Sequence, residues 1–189
     1  MAYKFHPENY RRLHSKDRLK FQEPSKLIGL LELFPGAKVA DVGCGSGFFT
    51  LEVAKRLDGG ELWAVDISQE MLERLKEHMG ERGIYNINLL LSAESQIPLE
   101  DSYLDRVLLS IVLHEAEDRV AFLKEVRRVL KPGGRLVLTD WHKAPSPEGP
   151  PLEHRLSEEE ARRLLIEAGF KGITAHPLYE YHYVLTAEG

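Results

Sequence analysis

The sequence predicts an α/β fold: a doubly wound, mostly parallel sheet of seven strands that ends in an antiparallel C-terminal hairpin. Three observations lead there. Short β-rich runs alternate with amphipathic helical ones, a glycine-rich loop joins the first such strand to its helix, and two β-leaning runs close the chain. Right-handed crossovers then bring every strand-to-helix loop to one edge of the sheet, beyond the carboxyl ends of the strands, where ligands bind in such folds.

The elements follow in order. Pro24 opens a helix that repeats Leu27, Ile28, Leu30, Leu31 and Phe34 at helical spacing, and Pro35-Gly36 stops it. Ala37 to Val42 is the first strand and runs into Gly43-Cys-Gly-Ser-Gly47; Phe48 to Leu57 is helical. Glu61 to Val65 is the second strand. Ser68 then caps a helix from Gln69 to about Met79, with Met71, Leu72 and Leu75 inward. Strands are expected at Ile87–Leu91 and Leu104–Leu109, and a helix from Arg119 to Leu130. Lys131-Pro-Gly-Gly134 reads as a turn before the strand Arg135–Thr139. After the breaker-rich stretch Ala144–Pro151, Ser157-Glu-Glu-Glu160 is a capping box that starts a helix ending at Gly169. Gly172–His176 and His182–Thr186 form the final hairpin.

Composition narrows the function. The 189 residues carry 25 Lys+Arg against 30 Asp+Glu, a net charge of −5 that lacks the basic excess of sequence-independent nucleic-acid binders. The single cysteine, Cys44, excludes an internal disulfide framework and any site built on several thiolates. No metal site is expected either, because the eight histidines show no helical i, i+4 ligand pair. No apolar run approaches a membrane span. The start, MAYKFHPENYRR, has no signal-peptide core, so a cytoplasmic location is expected. Few Asn and Gln among many Glu, Arg and Lys is a pattern reported for heat-loving organisms.

The chemistry concentrates after the strands. In Asp41-Val-Gly43-Cys44-Gly45-Ser-Gly47, glycines permit a sharp turn and close approach of a ligand, and free N–H groups at the helix start can hold an anion. The spacing is G-x-G-x-G, with Phe48 where a dinucleotide fingerprint has its third glycine. Asp41 would repel a pyrophosphate yet accept hydrogen bonds from an ammonium group, so the loop suits an amino-acid-bearing ligand. Asp66, ending the second strand, stands where ribose hydroxyls are bound; Ile67 and Met71 follow where apolar groups can pack on a flat base, although Met71 equally suits a core. Ala93 is small enough to sit beside a base, and Glu94 can accept from an exocyclic amine or remain a solvated loop residue. Ser110 ends the fourth strand. His114 beyond it is the candidate general base, with a structural role as the competing reading; Glu115 can orient it or face the substrate. Asp140-Trp141-His142 points to the same edge, and Trp141 can wall an apolar pocket or join the core.

With these residues assembled, Val39–Thr50 resembles the first motif of class I S-adenosylmethionine-dependent methyltransferases. Asp66 is similar to that family's acidic residue after the second strand, and Ala93-Glu94 to its adenine-contacting position, where aspartate is more usual. Asp105–Ser110 resembles its fourth motif, and Val129–Leu136 the turn before its fifth strand. The resemblance implies a Rossmann-like fold and S-adenosyl-L-methionine as methyl donor, held by Asp41, Gly43, Cys44, Gly45, Gly47, Asp66, Ile67, Met71, Ala93, Glu94 and Ser110. The nearest subgroup resembles small ubiquinone/menaquinone-biosynthesis and arsenite methyltransferases; a lone cysteine inside the cofactor loop does not suit arsenite.

The expected activity is methyl transfer to a small-molecule acceptor by a monomer or homodimer, without nucleic acid or membrane. A binding module that keeps the cofactor without turnover is the alternative, and an NAD-dependent oxidoreductase a third. Residues 1–36 are expected to form an N-terminal lid and helix, with Leu13, Leu19 and Phe21 as anchors and Tyr10 or Arg18 near the substrate; residues 37–189 form the methyltransferase domain.

Overall fold

Alternation along the strands builds the core on both faces of one sheet. A computed structural model of the chain describes Leu19 and residues 21–189. Leu13, Tyr10 and Arg18, expected in the lid, lie outside the described residues. The strands are β1 (Lys38–Val42), β2 (Glu61–Asp66), β3 (Asn88–Leu91), β4 (Leu104–Ser110), β5 (Leu130–Trp141), β6 (Lys171–Ala175) and β7 (His182–Glu188). They form a seven-stranded sheet in the order β3-β2-β1-β4-β5-β7-β6. The first five are parallel; β7 runs antiparallel between β5 and β6.

Successive strand residues face opposite ways. Ala40, Val42, Val107, Leu109, Leu136 and Leu138 therefore enter one cluster, while Val39, Leu62, Ala64, Leu108 and Val137 enter the other. The helices α1 (Pro24–Gly29), α2 (Thr50–Ala54) and α3 (Gln69–Arg82) cover the second cluster through Leu27, Leu51, Leu72 and Leu75. On the opposite face, α4 (Arg119–Val129) and α5 (Glu158–Glu167) contribute Phe122, Leu123, Val126, Ala161 and Leu165. Both caps form as their residues dictate. Ser68 Oγ accepts from the Met71 N–H at 3.3 Å, while Ser157 Oγ and the Glu160 carboxylate bond each other's backbone at 3.1 and 2.7 Å.

Three local expectations need correction. Helix α1 ends by Leu30, so Phe34 is not on its inner face; it is 42% exposed, with the Arg106 guanidinium 5.1 Å from its ring. Helix α2 begins at Thr50 rather than Phe48, because the glycine loop uses that stretch for its own turns. Lys131–Gly134 belongs to β5 as an irregular excursion: Leu130 pairs with Leu104 and Arg135 with Arg106, so the segment between them bulges off the ladder.

The sheet order changes direction at β1. From β1 the chain builds outward through β2 and β3 on one side and through β4 and β5 on the other, which opens a crevice above the β1/β4 junction.

Candidate active site

A cavity of about 330 Å³ occupies that crevice, within the range that holds a small organic ligand. The structure brings to its wall Asp41, Gly43, Cys44, Gly45, Asp66, Ile67, Met71, Ala93, Glu94, Ser110 and His114. Gly47 is not brought there. An added Cβ at Gly47 would lie 2.3 Å from Leu75 Cδ1, and its φ of +92° disfavours any side chain, so this glycine lets the loop pack on α3.

Gly43 also serves internal packing: its Cβ would sit 2.2 Å from Val112 Cγ2. Four of the loop's N–H groups are engaged within the fold. Gly43 and Cys44 donate to the Val65 carbonyl at 2.7 and 3.0 Å, Gly47 donates to the Cys44 carbonyl, and Gly45 donates to Asp66 Oδ2 at 2.8 Å. Asp66 Oδ1 accepts from the Ser68 N–H at 2.9 Å, so this carboxylate ties the loops after β1 and β2 together. Burial pushes Asp66 above the ordinary aspartate range against the pull of these backbone donors. Each oxygen keeps a second lone pair for a hydroxyl donor.

Asp41 is buried and accepts from the Thr50 hydroxyl at 2.6 Å. Beside it, burial first, then the charges of Asp66 and Asp41, drive the Cys44 thiol well above its ordinary value. Cys44 is therefore a protonated, buried wall group and no nucleophile. Ile67 remains 51% exposed at the rim, an apolar surface for a flat group, while Met71 is buried beneath. Glu94 is drawn elsewhere: its Oε1 accepts from the Glu117 and Asp118 N–H groups at 2.7 and 3.4 Å, joining the loops after β3 and β4.

The β4 end is strained. Ile111 adopts φ +59°, an uncommon conformation for a β-branched residue, and anchors its N–H to the Thr139 carbonyl at 2.8 Å. This turn sends Leu113–Glu115 over the end of β5. His114 is 2% exposed, its Nδ1 2.8 Å from Asp140 Oδ1, and its backbone N–H donates to Asp140 Oδ2 at 3.1 Å. Burial alone would lower the His114 pKa; the Asp140 charge and hydrogen bond outweigh it and leave the value raised. With Nδ1 protonated toward Asp140, the lone pair rests on Nε2, which lies 3.8 Å from Glu115 Oε1.

Several wall residues escape sequence reasoning. Phe21, an expected lid anchor, and Gln22 enter from the N-terminal segment; the unforeseen ones are Glu148, Gly149 and Pro150 from the breaker-rich loop. His182 starts β7, opposite Trp141 of β5, with ring centroids 4.0 Å apart. An antiparallel last strand begins at the ligand edge, and that topological signal could have found His182. Arg155, 5% exposed, holds the loop together. Its Nε donates to the Pro150 carbonyl at 2.8 Å, Nη1 to Ala144 O at 2.8 Å, His142 O at 3.3 Å and Ser146 Oγ at 2.9 Å, and Nη2 to Glu148 O at 3.2 Å. No periodicity marks such an arginine.

A nucleoside-bearing amino acid fits this wall. The two carboxylates Asp41 and Asp66 stand at separate strand ends, Ile67 offers an apolar rim, and the Ser110 Oγ is buried with no hydrogen-bond partner, an orphaned group awaiting a ligand. Among the described residues, no group of three or more His, Cys, Asp or Glu is arranged to hold a metal ion. Nor is any described helix long and apolar enough to cross a membrane.

The fold and the site define a class of enzyme built on a seven-stranded sheet with its crevice at the carboxyl edge of the strands. Comparison with known proteins identifies the family. Residues 40–138 match the family model described as a methyltransferase domain. A solved S-adenosylmethionine-dependent methyltransferase from Aquifex aeolicus superimposes with a TM-score of 0.91 at 32% identity, covering 97% of this chain and 98% of that one. The ubiquinone/menaquinone biosynthesis C-methyltransferase UbiE of Paraburkholderia phymatum is 38% identical over 114 residues, 60% of this chain and 46% of its own length. The chain thus spans about half the length of the curated relatives it matches. A putative methyltransferase from Haloferax volcanii, solved with the Trm112 activator, shares the fold at a TM-score of 0.78 and 19% identity, covering 96% of this chain and 95% of its counterpart. The chain belongs to the S-adenosylmethionine-dependent methyltransferase family. That family sets aside the NAD-dependent reading.

Proposed function

We propose that this methyltransferase acts on a small-molecule acceptor whose nucleophilic atom must lose a proton, with His114 as general base and Asp140 as the residue that positions it. The single observation that carries the reading is the buried His114–Asp140 pair at 2.8 Å on the cavity wall. A base has work to do only if the acceptor arrives protonated.

The cavity divides along the sheet. Residues after β1, β2 and β3, from Asp41 to Glu94, take the cofactor side: Asp66 for ribose hydroxyls, Asp41 for the ammonium end, Ile67 and Met71 against the base, Ser110 at the junction. S-adenosylmethionine supplies there a methyl group on a positively charged sulfur that departs as a neutral thioether. Residues after β4, β5 and β7 take the acceptor side, where His114 Nε2 receives the acceptor's proton. Asp140 stabilises the imidazolium so formed and fixes the ring so that Nε2 faces the reaction. Alignment in a walled cavity supplies most of the remaining rate. Phe21, edge-on to Tyr181 at 5.3 Å, and buried Gln22 both line the cavity, which supports a lid at residues 21–23 over this side of the 37–189 domain.

A mass-spectrometric screen of metabolites for a protein-dependent gain of one methylene identifies the acceptor. His114→Ala then should lower turnover by ~10²–10⁴ with cofactor affinity nearly constant. Full turnover in that variant, with the pH profile unaltered, removes the base from the mechanism.

A further inference from the structure

The main chain of His114 is gripped on both sides by groups of opposite charge. Its N–H donates to Asp140 Oδ2 at 3.1 Å, and its carbonyl accepts from Arg119 Nη2 at 3.3 Å. Arg119 is the first residue of α4 and reaches back across the Leu113–Glu115 turn to make this bond. A cation in the first turn of a helix opposes the helix dipole, so helix stability gives no reason for an arginine at this position. Its Nε is buried with no hydrogen-bond partner among the described residues. Neither that nitrogen nor Nη2 therefore spends the charge on a carboxylate.

The groups around the imidazole decide what that charge does. Asp140 of β5 faces Nδ1 at 2.8 Å, and Glu115, from the turn itself, faces Nε2 at 3.8 Å. Tyr183 of β7 pairs with Asp140 across the ladder and stays protonated, through burial first and the Asp140 charge second. Arg155 turns its donors to the 142–150 loop, and His182 and Glu148 share the cavity wall. Two carboxylates against one imidazole favour a proton on each ring nitrogen, and such a ring has no lone pair for the acceptor's proton. Arg119 is the cation that opposes them from α4. Burial lowers the His114 pKa, Asp140 and then Glu115 raise it, and Arg119 draws it down again.

We propose that Arg119 is a second positioning residue for the base: it fixes the turn that carries His114 and offsets the two carboxylates beside the ring, which leaves Nε2 open to the acceptor's proton. The proposal rests on the His114–Asp140 reading given above.

The ring of His114 reports on this without any acceptor. The full chain, labelled with carbon-13 at histidine Cε1, is titrated by NMR; among eight histidines, His114 is the signal missing from His114→Gln. Arg119→Gln should raise the titration midpoint of His114 by about half a pH unit or more, while Arg119→Lys stays close to the parent. Glu115→Gln should lower the midpoint, and the two glutamine substitutions together should bring it back toward the parent. An arginine that served only to hold the turn would leave the midpoint in place. An unmoved or lowered midpoint in Arg119→Gln, a lysine variant that behaves like the glutamine one, or a midpoint not lowered in Glu115→Gln would each overturn the proposal. Should Arg119→Gln fail to fold, Arg119→Met takes its place with the same expectation. Asp140→Asn separates the two levels. A midpoint unmoved there overturns the His114–Asp140 pair and this proposal together, whereas one lowered there but unmoved in Arg119→Gln removes the role of Arg119 alone.

Discussion

Asp140 grips His114 at two points, through the ring at 2.8 Å and through the backbone N–H at 3.1 Å. The second contact fixes where the turn after β4 sits, and the first fixes which ring nitrogen is basic. Because Asp140 Oδ1 also accepts from the Trp141 N–H at 2.8 Å, the carboxylate itself has little freedom to rotate. One buried side chain thus coordinates the ends of β4 and β5.

Asp140→Asn should keep the shape and lose the charge. Turnover is expected to fall by ~10²–10⁴, as for other histidine bases deprived of their orienting carboxylate, while cofactor affinity holds. The pH profile carries the sign. His114 works as a base only when neutral, so activity rises with pH through a pKa held above the usual histidine value. Without the Asp140 charge that pKa drops, and the acidic limb should move to lower pH. A steady-state profile of kcat/KM checks both; an unmoved limb would count against the pairing.

The same raised pKa contributes to stability. Protonated His114 is favoured by the fold, so its contribution is fully present below the unfolded value of about 6.5 and is lost as pH rises through the folded value. Urea midpoints measured across that window should show a decline in the parent protein that is absent in His114→Gln.

Asp66 carries two duties, and its removal should show both. Asp66→Ala is expected to weaken S-adenosylmethionine binding at least about tenfold through lost ribose contacts. Stability should fall too, because the Gly45 and Ser68 N–H groups lose their acceptor, at a cost of ~1–3 kcal/mol for each left buried and unpaired. Burial holds the Asp66 pKa above the ordinary aspartate value, so cofactor affinity should decline on acidification before an exposed aspartate would titrate. Calorimetry at several pH values, paired with urea unfolding, separates the two effects.

The last two glycines of the loop should divide in their consequences. Gly47→Ala drives a methyl into Leu75 and forces a side chain into φ +92°, so it should lower stability by ~1–3 kcal/mol. Cofactor affinity per folded molecule should change little. Gly45→Val, on the cavity wall and with a β-branched side chain forced into φ +53°, should lower stability as well and abolish binding in the molecules that fold. Circular dichroism melts and calorimetry of the two variants decide this.

Arg155→Lys keeps a positive charge but loses the planar fork that reaches several carbonyls at once. The 142–150 loop should then become a preferred site of limited proteolysis, and acceptor KM should rise. Binding of S-adenosylmethionine, made on the other side of the cavity, should stay as it was. A parallel loss of cofactor affinity would show that the loop shapes the whole crevice.

How much of this was readable in advance follows from the reach of each interaction. The glycine loop, Asp66 at its strand end and the alternation of strands and helices rest on local patterning, period-two strands and near-neighbour turns, and these are written along the chain. The fates of Gly47 and Glu94 were not readable, since they depend on Leu75 and on the backbone at Glu117, partners brought close only by the finished sheet. Phe34 lies off the helix because helical spacing in the sequence runs on past Leu30, where α1 ends ahead of the turn at Glu32, φ +47°. Asp140 stood in view beside Trp141, yet its pairing with His114 needs the β4–β5 register to be known. Arg155 was the least visible of all: a lone basic residue after a proline-rich stretch gives no hint that it is buried.

The manner of that burial has a bearing on how such a protein diversifies. Apart from the Ser146 hydroxyl, the Arg155 guanidinium holds the 142–150 loop by main-chain oxygens, and these remain the same whatever side chain sits above them. Ala144, Pro145, Pro147 and Glu148 are exposed and do not bear the loop's shape by side-chain bonds to Arg155. Mutations there can remodel the face presented to an incoming molecule while the scaffold beneath keeps its form. A lineage carrying this arginine can therefore explore new substrates by drift in one short segment, with the donor-binding half of the enzyme left untouched.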